Sequence, residues 1–133
     1  MDIAEKTVLI TGANRGIGQA LVDEALRRGA SKVYAAMRVG PRNADKRITT
    51  LALDVTDALQ VQRAADQVEA LDLLVNNAGI AVSDDLSDQT AIERHLAVNL
   101  WGPYYVTRAF LPLLLRSRGA IINNLSLLSF APS

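Results

Sequence analysis

Cysteine is absent from the 133 residues, which excludes disulfides, thiolate catalysis and zinc–thiolate sites together. Histidine occurs once, at His95, too little for an imidazole-built metal cluster, and no metal site is expected. Neither sign of charge is in excess, since 14 Lys and Arg balance 14 Asp and Glu. No global field therefore favours nucleic acid or an anionic membrane, and neither is expected as a partner. No unbroken apolar run nears the roughly 18 residues of a membrane span. The richest stretch, Leu96 to Leu115, is interrupted by Asn99, Pro103, Arg108 and Pro112. The opening Met1-Asp2-Ile3-Ala4-Glu5-Lys6 lacks the basic and apolar regions of a secretory signal. A cytoplasmic location is the expectation.

Half of the residues are apolar and 21% are charged, a globular composition, with no repeat, low-complexity tract or linker to divide it. Apolar segments alternate in type along the chain. Thr7-Val8-Leu9-Ile10 is short, β-branched and apolar on both faces, as in a parallel strand buried between helices. After a glycine-rich turn, Ile17, Ala20, Leu21, Ala25 and Leu26 recur at helical spacing, and Gly29 supplies a stop. Val33 to Ala36 reads as a second strand and Ile48 to Ala52 as a third. Thr56 or Asp57 can cap a helix reaching about Val68. Leu71 to Val75 is a fourth strand. Thr90 with Glu93 fits a capping box opening the longest helix, residues 90–116. Gly119 ends that helix, and Ala120-Ile121-Ile122 begins a fifth strand. Strand–helix–strand units in succession imply parallel strands with right-handed crossovers, hence a doubly wound α/β sheet.

Thr11-Gly12-Ala13-Asn14-Arg15-Gly16-Ile17-Gly18 lies between the first strand and the first helix. Its glycine spacing differs from the commoner GxGxxG dinucleotide fingerprint, but the physics is shared. Gly12 permits a tight exit from the strand, and Gly16 has no side chain to hold a diphosphate off the backbone. Gly18 lets the helix pack close to the sheet. The helix N-terminus offers N–H groups and positive partial charge to phosphate.

An acidic residue ending the second strand would bond the adenosine ribose and repel a 2′-phosphate. Here the strand ends Ala36-Met37-Arg38, with no carboxylate. Arg15 in the turn and Arg38 after the strand can fork onto that phosphate, which favours NADP(H) over NAD(H). Arg42, Lys46 and Arg47 either add positive potential or form a solvated loop. Asp84, Asp85 and Asp88 read as a solvated loop before a helix start, and His95 as a surface or packing residue of that helix.

Thr11 to Gly18, Asp54-Val55, Asn76 to Gly79 and Asn99 together resemble the pattern of the short-chain dehydrogenase/reductase family, in order and at strand ends. The resemblance covers essentially the whole chain. It implies a Rossmann-type sheet in the strand order 3-2-1-4-5, with residues 1–133 forming the N-terminal, NADP(H)-binding part of a single-domain enzyme. It also implies that Asp54 meets the adenine amino group and that Val55 packs near the ring. Asn77, Ala78 and Gly79 would line the cofactor through backbone atoms. Asn99 resembles the family's catalytic asparagine, which anchors a water in a proton relay. Ser126 resembles the serine that polarises the substrate carbonyl or hydroxyl. The family usually carries two adjacent serines there, whereas this chain has Leu125-Ser126.

The family's acid/base is a Tyr-x-x-x-Lys pair, placed by the pattern roughly thirteen residues after the serine. Four residues beyond Tyr34, Tyr104 and Tyr105 stand Arg38, Arg108 and Ala109, so none of the three forms the pair. The expectation is a truncated chain, the cofactor half of an enzyme that reduces carbonyls or oxidises alcohols, and inactive or nearly so alone. Losing such an acid/base group costs about 10²- to 10⁴-fold. The long helix is apolar nearly all round, so part of it needs a further helix or subunit. The resemblance implies a homodimer or homotetramer formed through that helix, and the fifth strand should be an unpaired edge. A non-catalytic NADP(H) sensor or regulatory module is the alternative reading. The glycine turn and Arg38 suit both, while Asn99 and Ser126 favour the enzyme. A flavin protein suits the fold but fits this glycine spacing less well.

Overall fold

A computed structural model describes residues 1–14, 16–38, 45–77 and 89–124. Five parallel strands form one sheet: β1 (Thr7–Thr11), β2 (Lys32–Met37), β3 (Ile48–Ala52), β4 (Leu73–Asn76) and β5 (Ala120–Asn123). Their order is β3-β2-β1-β4-β5, the Rossmann order that the resemblance implies. The helices are α1 (Gly16–Arg27), α2 (Ala58–Gln67), α3 (Gln89–Leu96) and α4 (Gly102–Ser117), with a π-turn at Ala97–Trp101 joining the last two.

β1 is sandwiched as its sequence demands. Val8 and Ile10 pack with Val22 and Ala25 of α1, while Leu9 packs on the other face with Val61, Val106, Phe110 and Leu114 of α2 and α4. Strand side chains alternate between faces, so one apolar run serves two cores. In α1 the buried stripe is Gly18, Val22 and Ala25. Ile17 and Ala20 are exposed, because one residue of helix turns the side chain by about 100°.

Helix ends follow local chemistry. Asp57 caps α2 by accepting from Leu59 N (3.0 Å) and Gln60 N (3.2 Å); Thr56 does not cap. α1 closes in a Schellman arrangement, with Ala30 N–H donating to Ala25 O and Gly29 N–H to Leu26 O. Gly29 takes the left-handed position there, at φ 90°.

The C-terminus of α4 differs from expectation. Gly119 N–H donates to Leu114 O in the same pattern, but the left-handed residue is Arg118, at φ 55°. Gly119 is required for another reason: a Cβ there would lie 2.3 Å from Asp72 O. The long helix also begins before the capping box that its sequence suggests. α3 already includes Gln89, so Thr90 lies inside the first turn and is not the N-cap.

The helix from 89 to 117 is not uniform, since five π-type residues interrupt it. One stripe of α4 is buried, Gly102, Val106, Phe110 and Leu114. Leu96, Leu100, Trp101, Tyr104, Tyr105, Leu111 and Leu115 remain exposed. Trp101, Tyr104 and Tyr105 pack on one another, with ring centroids 5.5 to 6.3 Å apart. Among the described residues β5 is a sheet edge with Ile121 and Ile122 exposed. No helix among them is long and apolar enough to cross a membrane.

Candidate functional site

Parallel strands place all their carboxyl ends on one side, and Gly12, Ala13, Gly16, Gly18, Arg38, Asp54 and Asn77 follow those ends of β1, β2, β3 and β4. Gly12 leaves β1 at φ 61° and Gly16 opens α1 at φ 57°, both in the left-handed region that glycine adopts without strain. Gly18 is buried against the turn. A Cβ at Gly18 would stand 1.9 Å from Gly12 O and 2.7 Å from Asn77 Nδ2. Among the described residues, a Cβ at Gly16 would meet nothing within 4 Å. Beside that open space Ile17 is exposed and the first turn of α1 presents its N–H groups. The cradle fits a diphosphate: bare backbone, free volume and the positive end of a helix dipole.

The turn is pinned from both sides. Ala13 is buried and its N–H donates to Ala36 O at 3.2 Å, tying the turn to β2. Asn77 N–H donates to the buried Thr11 hydroxyl at 2.9 Å, and Asn77 Nδ2 donates to Gly12 O at 3.4 Å. Asn14 is exposed.

Arg38 follows β2 with its side chain largely exposed (71%), Nε lying 3.9 Å from Asp54 Oδ2. Asp54 itself is held by its neighbours. Its Oδ1 accepts from Thr56 Oγ1 (2.6 Å) and Thr56 N (3.0 Å), while its N–H donates to Gln60 Oε1 (2.8 Å). The Thr56 hydroxyl first, then the Thr56 N–H and the Arg38 charge, hold the Asp54 carboxyl below its ordinary range despite some burial. Val55 is buried and turned into the core, 2.6 Å from where a Gly102 Cβ would be. That contact brings the N-terminus of α4, and the π-turn before it, to the carboxyl end of the sheet.

Asn99 sits within the π-turn and is half-buried. π-turns inside α-helices occur frequently at functional sites, because the extra residue redirects nearby side chains. Arg15, Ala78, Gly79, Ser126, Arg42, Asp84, Asp85 and Asp88 lie outside the described residues. Arg47 is engaged elsewhere: it bonds Asp45 and donates from Nη1 to Leu26 O at 3.1 Å. It therefore does not supplement Arg38.

Sequence reasoning missed a set of amide contacts at the ends of β4 and β5. Asn76 pairs in register with Asn123, and its Nδ2 reaches both Asn123 Oδ1 (2.9 Å) and Thr107 Oγ1 of α4 (3.0 Å). Asn124 Nδ2 donates to Asn77 Oδ1 at 2.7 Å. The signal was present as two Asn-Asn pairs, 76–77 and 123–124, each closing a strand.

Sheet order and the glycine turn define a dinucleotide-type α/β fold, and sequence comparison names its family. The model of the short chain dehydrogenase family matches residues 6–133, and the chain belongs to that family. It is 36% identical to 11-beta-hydroxysteroid dehydrogenase A of Sesamum indicum, across 99% of this chain and 42% of the relative. Among solved structures, a short chain dehydrogenase from Burkholderia cenocepacia in complex with NADP superposes with a TM-score of 0.88. It is 37% identical, over 92% of this chain and 54% of that one. NADPH-bound carbonyl reductase from chicken fatty liver gives a TM-score of 0.79 at 28% identity, covering 89% and 58%. The chain thus spans about half the length of the relatives it matches.

Proposed function

We propose that residues 1–133 form the NADP(H)-holding part of an oxidoreductase that interconverts a carbonyl and an alcohol. The observation that carries this reading is the glycine cradle: space above Gly16 left open by the described residues, beside a strand β2 that is followed by Arg38 and not by a carboxylate. Gly12, Ala13, Asn14, Gly16, Ile17 and Gly18 hold the diphosphate at the N-terminus of α1. Arg38, with Arg15, takes the 2′-phosphate. Asp54 receives the adenine amino group, Val55 shapes that end of the site from the core, and Asn77, Ala78 and Gly79 offer backbone atoms along the dinucleotide. Bound there, NADP(H) supplies or accepts the hydride.

Asn99 orients a water for proton relay, and Ser126 polarises the substrate oxygen. Asn99 and Ser126 favour an enzyme over a non-catalytic sensor, since a sensor needs neither. The NADP and NADPH complexes of the Burkholderia and chicken proteins support the choice of coenzyme. The 133 residues contain no Tyr-x-x-x-Lys, so by themselves they bind coenzyme without sustained turnover. The exposed face of α4 joins copies of the chain into a homodimer or homotetramer.

Equilibrium titration with NADPH and NADH tests the reading. NADPH should bind more tightly by an order of magnitude or more. Equal affinities would remove Arg38 from the phosphate site, and failure of both to bind would overturn the assignment.

A further inference from the structure

We propose that Asn124 is a positioning residue for the glycine turn, acting through Asn77 on the Gly12–Ala13 peptide. The proposal rests on the diphosphate reading of that turn. The peptide is held at both ends: its carbonyl, Gly12 O, accepts from Asn77 Nδ2, and its N–H, on Ala13, donates to Ala36 O. A peptide fixed in this way keeps its carbonyl directed inward. Were it to rotate, the negative end of the dipole would face the diphosphate.

The direction of the relay follows from donor chemistry. A carbonyl oxygen only accepts, so Asn77 must present Nδ2 to Gly12. Its Oδ1 is then turned the other way and requires a donor. Asn124 Nδ2 is that donor, at 2.7 Å, the shorter of the two side-chain contacts Asn77 makes. The register of β4 with β5 creates the approach. Asn76 lies opposite Asn123, and the ladder continues as Asn124 N–H donates to Asn76 O at 3.0 Å. Asn124, just after β5, thereby fixes the side chain of Asn77, just after β4, which in turn fixes the exit from β1. Asn124 is exposed, so its substitution leaves the core intact.

The polarity makes the proposal testable with three variants of the chain. Asn124→Gln keeps an amide donor; Asn124→Leu offers none. Asn124→Asp offers only acceptors to Asn77 Oδ1, and a flipped Asn77 would turn Oδ1 onto Gly12 O. The primary readout is hydrogen exchange of the Ala13 amide without coenzyme, so that the added aspartate charge has no ligand to repel. The Asp72 amide, which donates to Thr7 O at the opposite end of the sheet, serves as the control.

Ala13 should exchange faster in N124L by roughly two- to tenfold, as for one hydrogen bond lost. It should exchange faster still in N124D and stay near wild type in N124Q, with Asp72 unchanged throughout. NADPH affinity should fall by a similar factor in N124L and recover in N124Q. Identical Ala13 exchange in all variants would overturn the relay, as would parallel acceleration of Asp72. If Ala13 responds while the parent chain binds no NADPH, the relay stands and the coenzyme reading falls.

Discussion

Gly18 lies so close to Gly12 that a methyl group at position 18 would stand 1.9 Å from the Gly12 carbonyl oxygen. The obstruction is backbone, which cannot swing aside as a side-chain tip does. Gly18→Ala should lower stability by about 1–3 kcal/mol and disorder the turn. Gly16→Ala meets no atom of the described residues, and its cost is the left-handed φ of 57°, roughly 1–2 kcal/mol. The two variants should separate in their ratio of effects. G18A loses stability first, whereas G16A fills the diphosphate space and loses NADPH affinity out of proportion to its stability. Urea denaturation alongside coenzyme titration measures both; equal ratios would contradict the cradle.

Arg38 should govern the choice between coenzymes. Its guanidinium is exposed and only loosely engaged by Asp54, so it is available to a phosphate. Arg38→Ala should weaken NADPH by about 10- to 100-fold, as for a charge-assisted contact, and leave NADH nearly unchanged. Parallel losses for both would assign Arg38 to the fold.

Asp54 should impose an acid limit on the turn after β3. Its folded carboxyl lies below the ordinary range because Thr56 bonds the ionised form. A depressed carboxyl stabilises the fold above its unfolded value, and that contribution disappears as pH falls through the folded one. Wild type should therefore lose stability between the ordinary carboxylate range and lower pH, relative to Asp54→Asn, whose profile there should be flatter. Thermal melts of both proteins from neutral pH downward give the comparison, and superimposable slopes would refute it.

The uncovered face of α4 should drive association. Trp101, Tyr104, Tyr105 and Leu115 stand exposed on it together, the kind of apolar surface that protein contacts cover. Analytical ultracentrifugation should show dimers or larger species that Trp101→Glu or Leu115→Glu shifts toward monomer. Monomers at every concentration would argue against this face as a contact.

The sheet was legible because its central strands β1, β2 and β4 are buried on both faces, and short apolar runs of that kind leave little alternative. The glycine turn was legible for a similar reason: Gly12, Gly16 and Gly18 each meet a local demand for backbone freedom or contact. What escaped depends on register between distant segments. Nothing near Asn124 discloses that it lies against Asn77, 47 positions away. Gly119 read as the helix stop, yet Arg118 takes the left-handed turn, since only the folded chain shows Asp72 O beside Gly119. The π-turn was invisible because Ala97 to Trp101 has the composition of ordinary helix. Arg47 drew notice by its charge, and only its contact with Leu26 O shows where it is anchored.

That π-turn also works as a swivel. Each residue of helix advances the azimuth by about 100°, so a chain one residue shorter between Ala97 and Trp101 could run as plain α-helix. With α4 pinned by Gly102 against Val55 and by Phe110 in the core, α3 would have to absorb the whole angular offset. Deleting one residue there should reorient residues 89–96 around their own axis while leaving the sheet assembled.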